Sequence, residues 1–193
     1  MVIKKKEKES IAIARKFLQE EKLIIIPTDT VYGFSGLMGS SAEQTLYKIK
    51  KREMDKKLIY LIASPQQSFE YIDTYFYTAE ELKYLTSFWP APLTIIFKAR
   101  NRESDQDNTI ALRCPQDTWL ISLIASVGHP IFSTSANISG QPTITHITEL
   151  DASLTCNVPV IVDGGMLKGL SSTILNASKR PFVVVRQGTF SIE

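Results

Sequence analysis

"KLIIIPTDTVYGFSG", residues Lys22–Gly36, contains the change from apolar to polar sequence that decides the fold. Its apolar part, Leu23 to Ile26, predicts a buried strand that ends at Pro27. Two threonines, an aspartate, a tyrosine and a glycine then follow within six positions. A turn alone needs few polar residues. The stretch therefore leaves two interpretations open, a turn or a binding site.

Composition limits the class of protein. A chain of 193 residues that is 44% hydrophobic can bury a proper core, and we expect residues 1–193 to form one domain. No apolar run reaches the roughly 18 residues that a membrane span needs. The opening "MVIKKKEKES" has no apolar segment of a secretory signal, so a cytoplasmic location is expected. Cys114, Cys156 and the two histidines do not have the spacing of a metal site, so no metal held by protein side chains is expected.

Basic residues are concentrated in one segment. Residues 48–57, "KIKKREMDKK", carry six Lys or Arg against two acidic residues, whereas the whole chain has a net charge of only +2. Such a run is typical of a solvated helix end, but it also suits a ligand rich in phosphate. Within it we expect Lys57 to lie on the solvated side.

Helical and strand patterns alternate along the chain, which predicts an α/β fold with a mixed sheet covered by helices on both faces. Three helix starts are predicted from N-cap or capping-box signals at Ser10, Ser40 with Glu43, and Thr78 with Glu81, and a further helix over Thr118 to Val127. Predicted strands are Leu23–Ile26, Leu58–Ser64, Leu93–Lys98, Thr109–Cys114, "PIFSTS", "VPVIVDGG", "SSTIL" and "FVVVRQG".

Polar residues gather where these strands end. "PTDTVYG", "STSANISGQPT", "KGLSSTI" and "VVVRQG" each contain or follow a predicted strand, and Arg113 closes "TIALR". Each cluster alone is what a turn contains. Ligands of open α/β sheets bind at strand ends, so the five clusters together predict a ligand cleft there.

Several common sites are not indicated. The chain has neither G-x-x-x-x-G-K-[ST] nor G-x-G-x-x-G, and its serines lack a nucleophile-elbow context. His129, which precedes Pro130, is predicted to be a turn residue. The remaining chemistry is that of hydroxyls, backbone amides, Lys and Arg. It suits a nucleotide and a small zwitterion, for which catalysis is mostly positioning and charge neutralisation.

The order and spacing of these motifs resemble the YrdC-type threonylcarbamoyl-AMP synthases. "PTDTVYG" and "STSANISG" are the specific motifs, and weaker ones extend the likeness from about Ala12 to Gly188. The chain looks like the short, single-domain form. The resemblance implies synthesis of L-threonylcarbamoyladenylate from L-threonine, bicarbonate or CO₂ and ATP, with release of pyrophosphate. It also implies Mg²⁺ carried by ATP, and downstream transferase proteins that modify adenosine 37 of tRNA.

The same resemblance implies roles for individual residues. Four would bind threonine: Thr30, Arg113, Ser133 and Ser172. Eight would bind ATP: Lys50, Arg52, Lys56, Thr109, Ser135, Asn137, Thr143 and Arg186. Lys50 and Arg52 would offset charge on the leaving pyrophosphate, and no residue stands out as the general base.

The chain departs from the family pattern at three positions. Glu53 replaces the usual proline after the arginine of the basic motif, and Ala91 replaces a glycine. Leu61 stands roughly where some relatives have a histidine that contacts threonine.

Two other functions stay open. The basic cluster would suit a module that binds structured RNA, and weak RNA binding is also compatible with the enzyme. A carbamoyl-transfer domain of hydrogenase maturation would share the fold, but its neighbouring modules are missing from this sequence.

Overall fold

The computed structural model describes residues 1–50, 57–100, 108–138 and 140–192. The α-helices are α1 Ser10–Gln19, α2 Ser41–Lys50, α3 Ala79–Ser87, α4 Thr118–Val127 and α5 Ala152–Thr155. The strands are β1 Val2–Lys4, β2 Ile24–Pro27, β3 Tyr32–Leu37, β4 Ile59–Leu61, β5 Leu93–Lys98, β6 Thr109–Arg113, β7 Ile131–Ser135, β8 Ile161–Asp163, β9 Thr173–Asn176 and β10 Val183–Arg186. Short 3₁₀ helices lie at Pro65–Glu70, Thr74–Phe76 and Ile147–Glu149.

All ten described strands form one mixed sheet in the order β1-β8-β2-β3-β7-β4-β6-β5-β9-β10. The pairs β1–β8, β2–β8, β4–β6 and β5–β9 are parallel, and the others are antiparallel. The predicted α/β fold with a mixed sheet is therefore confirmed.

Hydrophobic residues pack on both faces of this sheet. On one face, α1 and α4 cover Ile24, Ile26 and Leu61. On the other face, α2 and α3 pack with Ile25, Phe34 and the inner side chains of β5 and β6. Successive residues of β2 thus point to opposite faces and are all fully buried, which explains the unbroken apolar run of its sequence.

The helix starts were predicted with mixed success. Helix α4 has the predicted bounds, and the capping box of Thr78 and Glu81 is present. The prediction that Ser10 is an N-cap is wrong, because Ser10 is the first helical residue and its hydroxyl donates to the Lys5 carbonyl at 2.9 Å. The capping box predicted at Ser40 is wrong as well. The Ser40 hydroxyl donates to the Leu37 carbonyl, and Glu43 accepts from the backbone N–H of Gly39.

Strand β3 was not predicted, although it occupies the centre of the opening stretch. It pairs antiparallel with β2 on one side and with β7 on the other. A Cβ atom added at Gly33 would lie 2.6 Å from Ser133 Oγ, and one at Gly36 would lie 2.6 Å from Ala42 Cβ. These glycines allow close contact with β7 and α2, so they mark a buried strand and not a loop.

Along the stretches that the structure describes, every helix is too short or too polar to cross a bilayer.

Candidate functional site

The candidate site lies on a part of the sheet that α1 and α4 leave uncovered. Cross-strand pairing places four residues on one face of the sheet: Ile59, Ala111, Ile96 and Ser133. Leu61 lies on the same face, where it packs under the helices. Beyond Leu61 this face forms the floor of a cavity of about 320 Å³, which we call the reaction cavity. Polar side chains from the strand ends form its walls, as the sequence indicated. The floor, however, is the middle of the sheet.

The segment that follows β2 forms a tight turn closed by Thr28. The Thr28 hydroxyl donates to the Val31 carbonyl at 2.7 Å and accepts from the N–H groups of Thr30 and Val31 at 3.1 Å each. Thr28 therefore closes the turn, as Ser and Thr hydroxyls commonly do. Thr30 then lines the reaction cavity. The stretch is both a turn and a wall of the site.

Tyr32 ties this hairpin to the loop that follows β8. Its hydroxyl accepts from the N–H of Gly164 at 2.9 Å and donates to the Gly165 carbonyl at 2.7 Å. Burial is the main reason that the pKa of Tyr32 lies above its usual value, so the phenol keeps its proton for this bond. Tyr32 is thus structural, which its position in the motif did not reveal.

Arg113, the last residue of β6, is the most buried cation of the cavity wall, with 5% of its surface exposed. Its Nη1 donates to Thr30 Oγ1 at 3.2 Å, and its Nη2 lies 3.4 Å from Asp29 Oδ1. Burial lowers the pKa of Arg113, and the charge of Asp29 opposes this effect. Asp29 is itself held by the backbone N–H of Gln116. The carboxylate therefore stabilises the charged arginine in a fixed orientation.

One donor of Arg113 is not used within the described part of the chain. Its Nε is buried and has no hydrogen-bond partner there. A buried donor without a partner costs about 1–3 kcal/mol and is normally satisfied by some acceptor. An anionic ligand in the cavity would provide that acceptor, and a carboxylate fits the planar geometry of the guanidinium well.

A second arginine reaches the same cavity from β10. Arg186 donates through Nε and Nη2 to the Ser172 carbonyl at 3.1 and 2.8 Å, and the Ser172 hydroxyl lies 2.9 Å from Thr94 Oγ1. Burial, and next the positive charge of Arg113, lower the pKa of Arg186. Two guanidinium groups that repel each other around one cavity favour a bound anion.

A third cation approaches from α2. Lys50 is buried, and its Nζ donates to the Ser135 carbonyl at 2.6 Å and lies 3.4 Å from Asn137 Oδ1. The Ser135 hydroxyl also donates to Asn137. The structure thus brings these three predicted nucleotide residues together, at the edge of the reaction cavity where Ser135 lines it.

The predicted residues are distributed over three hollows. The reaction cavity is lined by six of them: Thr30, Arg113, Ser133, Ser172, Ser135 and Arg186. Thr109 lines a second hollow of about 400 Å³, whereas Asn137 and Thr143 line a third of about 440 Å³. Arg52 and Lys56 lie outside the described residues, as does the departure at Glu53.

Lys57 is exposed, as the sequence predicted, but its contribution to the cavity walls was not predicted. Its Nζ donates to Thr109 Oγ1 at 2.6 Å, and its side chain lines both the reaction cavity and the second hollow. Sequence reasoning also missed Thr28, Thr94 and Ser171, which line the reaction cavity. A pattern of apolar and polar residues gives no signal for these positions, because a single Thr or Ser at a strand end is too common.

The two described departures lie in the core and not in the cavity wall. Leu61 is fully buried under α4, and Ala91 packs in the hydrophobic core of the opposite face. Leu61 therefore does not line the reaction cavity.

Comparison with known proteins decides the family. Residues 16–188 match the model of the Sua5/YciO/YrdC family, which carries the description "telomere recombination". The chain belongs to this family. This confirms the resemblance seen in the sequence.

Named relatives agree with the assignment. A threonylcarbamoyl-AMP synthase of Pyrococcus abyssi is 32% identical over 195 residues, which cover 97% of this chain and 56% of that protein. The enzyme of the same name from Escherichia coli K12 is 31% identical over 160 residues, or 80% of this chain and 84% of that one. The chain therefore spans little more than half of the archaeal relative. A crystal structure of P. abyssi Sua5 complexed with L-threonine superposes with a TM-score of 0.82 at 30% identity, covering 97% of this chain and 57% of that one.

Proposed function

We propose that this protein is a threonylcarbamoyl-AMP synthase, which makes L-threonylcarbamoyladenylate from L-threonine, bicarbonate or CO₂ and ATP. The observation that carries the proposal is the pair Arg113 and Thr30, a buried cation and a hydroxyl 3.2 Å apart at one wall of the reaction cavity. Membership of the family and the names of its relatives support the same activity.

In this proposal the threonine carboxylate binds to Arg113 through the guanidinium edge that includes Nε. The hydroxyls of Thr30, Ser133 and Ser172 line the same cavity and supply hydrogen bonds to the rest of the amino acid. The co-crystallised L-threonine of the P. abyssi protein supports this choice of substrate. A fixed carboxylate orients the amine toward the carbon of bicarbonate or CO₂.

The nucleotide binds along the remaining walls. We assign it to Lys50, Thr109, Ser135, Asn137, Thr143 and Arg186, together with Arg52 and Lys56 from the basic segment. Mg²⁺ enters on the ATP phosphates. These assignments rest on the motifs and on the position of the residues around the cavities.

The chemistry has two steps. The threonine amine attacks the carbon of bicarbonate or CO₂ and forms a carbamate, with loss of water when bicarbonate is used. A carbamate oxygen then attacks the α-phosphorus of ATP, the bond between the α-phosphorus and the bridging oxygen breaks, and pyrophosphate leaves. Cationic side chains offset the charge that develops on the leaving group.

Among the described residues, no side chain stands out as a general base. The described residues that line the reaction cavity include no carboxylate and no imidazole. We therefore propose that bicarbonate or a ligand phosphate accepts the proton of the amine. The protein would contribute mainly orientation, charge and exclusion of water.

The product would pass to proteins that transfer the threonylcarbamoyl group to tRNA, and a cytoplasmic location stays a prediction. RNA binding as the sole function has less support from the structure than from the sequence, because Lys50 is buried and Lys57 lines the reaction cavity.

Release of pyrophosphate tests the proposal. Purified protein with MgATP, bicarbonate and L-threonine should release pyrophosphate, and omission of either threonine or bicarbonate should abolish the release. Release that is the same without the amino acid would overturn the assignment.

A further inference from the structure

The segment that follows β10 turns back across the start of β9. We call residues 187–192 the tail, and the buried hydroxyl of Thr173 holds it. This hydroxyl donates to the Phe190 carbonyl at 2.6 Å, and it accepts from the backbone N–H groups of Gly188 at 2.9 Å and Phe190 at 3.2 Å. A single side chain therefore fixes the path of the tail.

Packing holds the tail at further points. The ring of Phe190 lies edge-to-face on Phe88, with ring centroids 5.9 Å apart, and Phe190 and Ile192 pack against the hydrophobic core. The Gln187 side chain donates to the carbonyls of Gly188 and Phe190. The tail is thus docked on the domain through both polar and apolar contacts.

Gly188 places the tail directly against one peptide group. A Cβ atom added at Gly188 would lie 2.5 Å from the Thr173 nitrogen and still closer to the carbonyl carbon of Ser172. A glycine is needed where backbone approaches backbone so closely. The peptide group that Gly188 contacts is the one whose carbonyl accepts both hydrogen bonds from Arg186. The tail therefore contacts the acceptor that holds an arginine of the reaction cavity.

Arg186 needs such an acceptor to stay at the cavity. Part of its side chain is exposed, and an arginine loses much rotamer freedom when it is held in one orientation. Burial, and next the positive charge of Arg113, lower the pKa of Arg186, so both effects favour movement of the guanidinium out of the cavity. The Ser172 carbonyl, which accepts from Nε at 3.1 Å and from Nη2 at 2.8 Å, opposes this movement.

The position of that carbonyl depends on the tail. Residues 164–172, which lead to it, form no helix or strand. The Thr173 N–H donates to the Pro92 carbonyl at 3.0 Å, and the Thr189 N–H donates to the Ser171 carbonyl at 3.3 Å. Contacts with β5 and with the tail thus replace the regular bonding that an irregular segment lacks.

We propose that the tail is a positioning element of the reaction cavity. Thr173 and Gly188 hold the peptide group between Ser172 and Thr173, and through its carbonyl they keep Arg186 directed into the cavity. Both residues act through Arg186 and not by direct contact with a substrate. The positioning is independent of the reaction that the cavity performs. Its effect on nucleotide affinity rests on the proposed synthase activity, in which Arg186 binds ATP.

NMR spectroscopy of the full chain tests the positioning without any substrate. The Nε–H signal of Arg186, identified by its absence in Arg186→Lys, should exchange slowly with solvent because this group donates to a carbonyl. Thr173→Val removes the hydroxyl at nearly constant volume and should speed the exchange at least about tenfold. Thr173→Ser keeps the hydroxyl and should behave like the wild type. Thr86→Val is the matched control, because it loses a hydroxyl bonded at 2.8 Å to the Leu82 carbonyl within α3, and it should leave the signal unchanged.

A second variant loosens the tail without altering the buried hydroxyl. Phe190→Ala removes the ring contact with Phe88 and should speed the exchange of Arg186 as well. Thermal unfolding shows which variants are folded. Unchanged exchange in a folded Thr173→Val or Phe190→Ala protein would overturn the positioning role.

Calorimetry with MgATP measures the consequence for the proposed substrate. Thr173→Val should weaken ATP binding about fivefold, and it should have no further effect in a protein that already carries Arg186→Gln. An equal loss in both backgrounds would overturn the role of Arg186 as the group through which the tail acts. Faster exchange of Arg186 in a variant of a protein that neither binds MgATP nor releases pyrophosphate with threonine and bicarbonate would instead refute the synthase activity and leave the positioning role standing.

Discussion

At the scale of single residues, the proposed threonine site depends on Arg113 and its neighbours. A buried guanidinium holds one carboxylate at 3.4 Å and one hydroxyl at 3.2 Å, and it leaves Nε without a partner in the described chain. A purely structural arginine would be expected to have its buried donors satisfied. The unpaired donor beside a polar cavity is the feature that distinguishes binding from packing.

Substitution of Arg113 and Thr30 should change the use of threonine selectively. Arg113→Lys keeps the charge but loses the planar fork, so the KM for threonine should rise strongly and that for ATP only slightly. Thr30→Val removes a hydroxyl that accepts from Arg113, and should cost about 1–3 kcal/mol of transition-state stabilisation if a buried donor is left unpaired. Steady-state kinetics on the two single variants measure both effects.

The double variant tests whether both residues act on one ligand. Because they contact each other and share a substrate, the double variant should lose less than the sum of the single losses. Melting curves on the same four proteins provide the control. Additive losses that are confined to thermal stability, with an unchanged KM for threonine, would contradict the account.

The cysteines should differ in reactivity, and neither should be catalytic. Burial is the main cause that raises the pKa of the Cys114 thiol to about 11, so at pH 8 it keeps its proton and is a poor nucleophile. Cys156 is exposed. Iodoacetamide at pH 8 should therefore label Cys156 quickly and Cys114 only after unfolding, with activity retained by the singly labelled protein.

Peptide mass mapping during the labelling reaction follows both sites. Labelling of the two thiols at the same rate would show that Cys114 is accessible or ionised. A large loss of activity that tracks labelling of Cys156 would mean that a functional thiol has been overlooked.

At the scale of elements, β3 shows where sequence patterns fail. Strand β2 was predictable because its apolar run is unbroken. Helix α4 was predictable because residues typical of helix ends flank it: the Asp117 side chain accepts from Leu120 N–H at the start, and Gly128 follows the last turn. Strand β3 has two glycines and a serine among its six residues, so its composition is that of a loop. Those glycines are required by contacts with Ser133, which is distant in sequence, and with Ala42 of the helix that follows.

This explanation of β3 predicts a large cost for a small change. A Cβ at Gly36 would lie 2.6 Å from Ala42 Cβ and 2.7 Å from the Phe132 ring, so Gly36→Ala should lower the free energy of unfolding by about 1–3 kcal/mol. Urea unfolding at 25 °C measures the change.

Ser35→Ala in the same strand is the matched control. The Ser35 hydroxyl is buried with no partner in the described chain, so its removal should be neutral or slightly stabilising. A Gly36→Ala protein as stable as the wild type would show that β3 and α2 are packed less closely than the structure indicates.

At the scale of the whole molecule, the site exists because the helices cover one sheet face only in part. The sequence predicted helices on both faces and a cleft at strand ends, and motif resemblance selected six residues that line the reaction cavity. The sequence could not predict the uncovered sheet face that forms the floor of the reaction cavity, because the part of the face that is covered depends on where α1 and α4 dock. For the same reason the contribution of Lys57 to the cavity wall was not predicted, since it follows from the register of β4 against β6.

The proposed activity joins threonine, bicarbonate and the adenylyl group of ATP in this cavity. Mass spectrometry of the product formed with ¹³C-bicarbonate, L-threonine and MgATP tests it most directly. We expect threonylcarbamoyladenylate that carries one ¹³C and that disappears in the Arg113→Lys protein at low threonine concentration. An adenylate without the label, or AMP formed at the same rate without threonine, would contradict it.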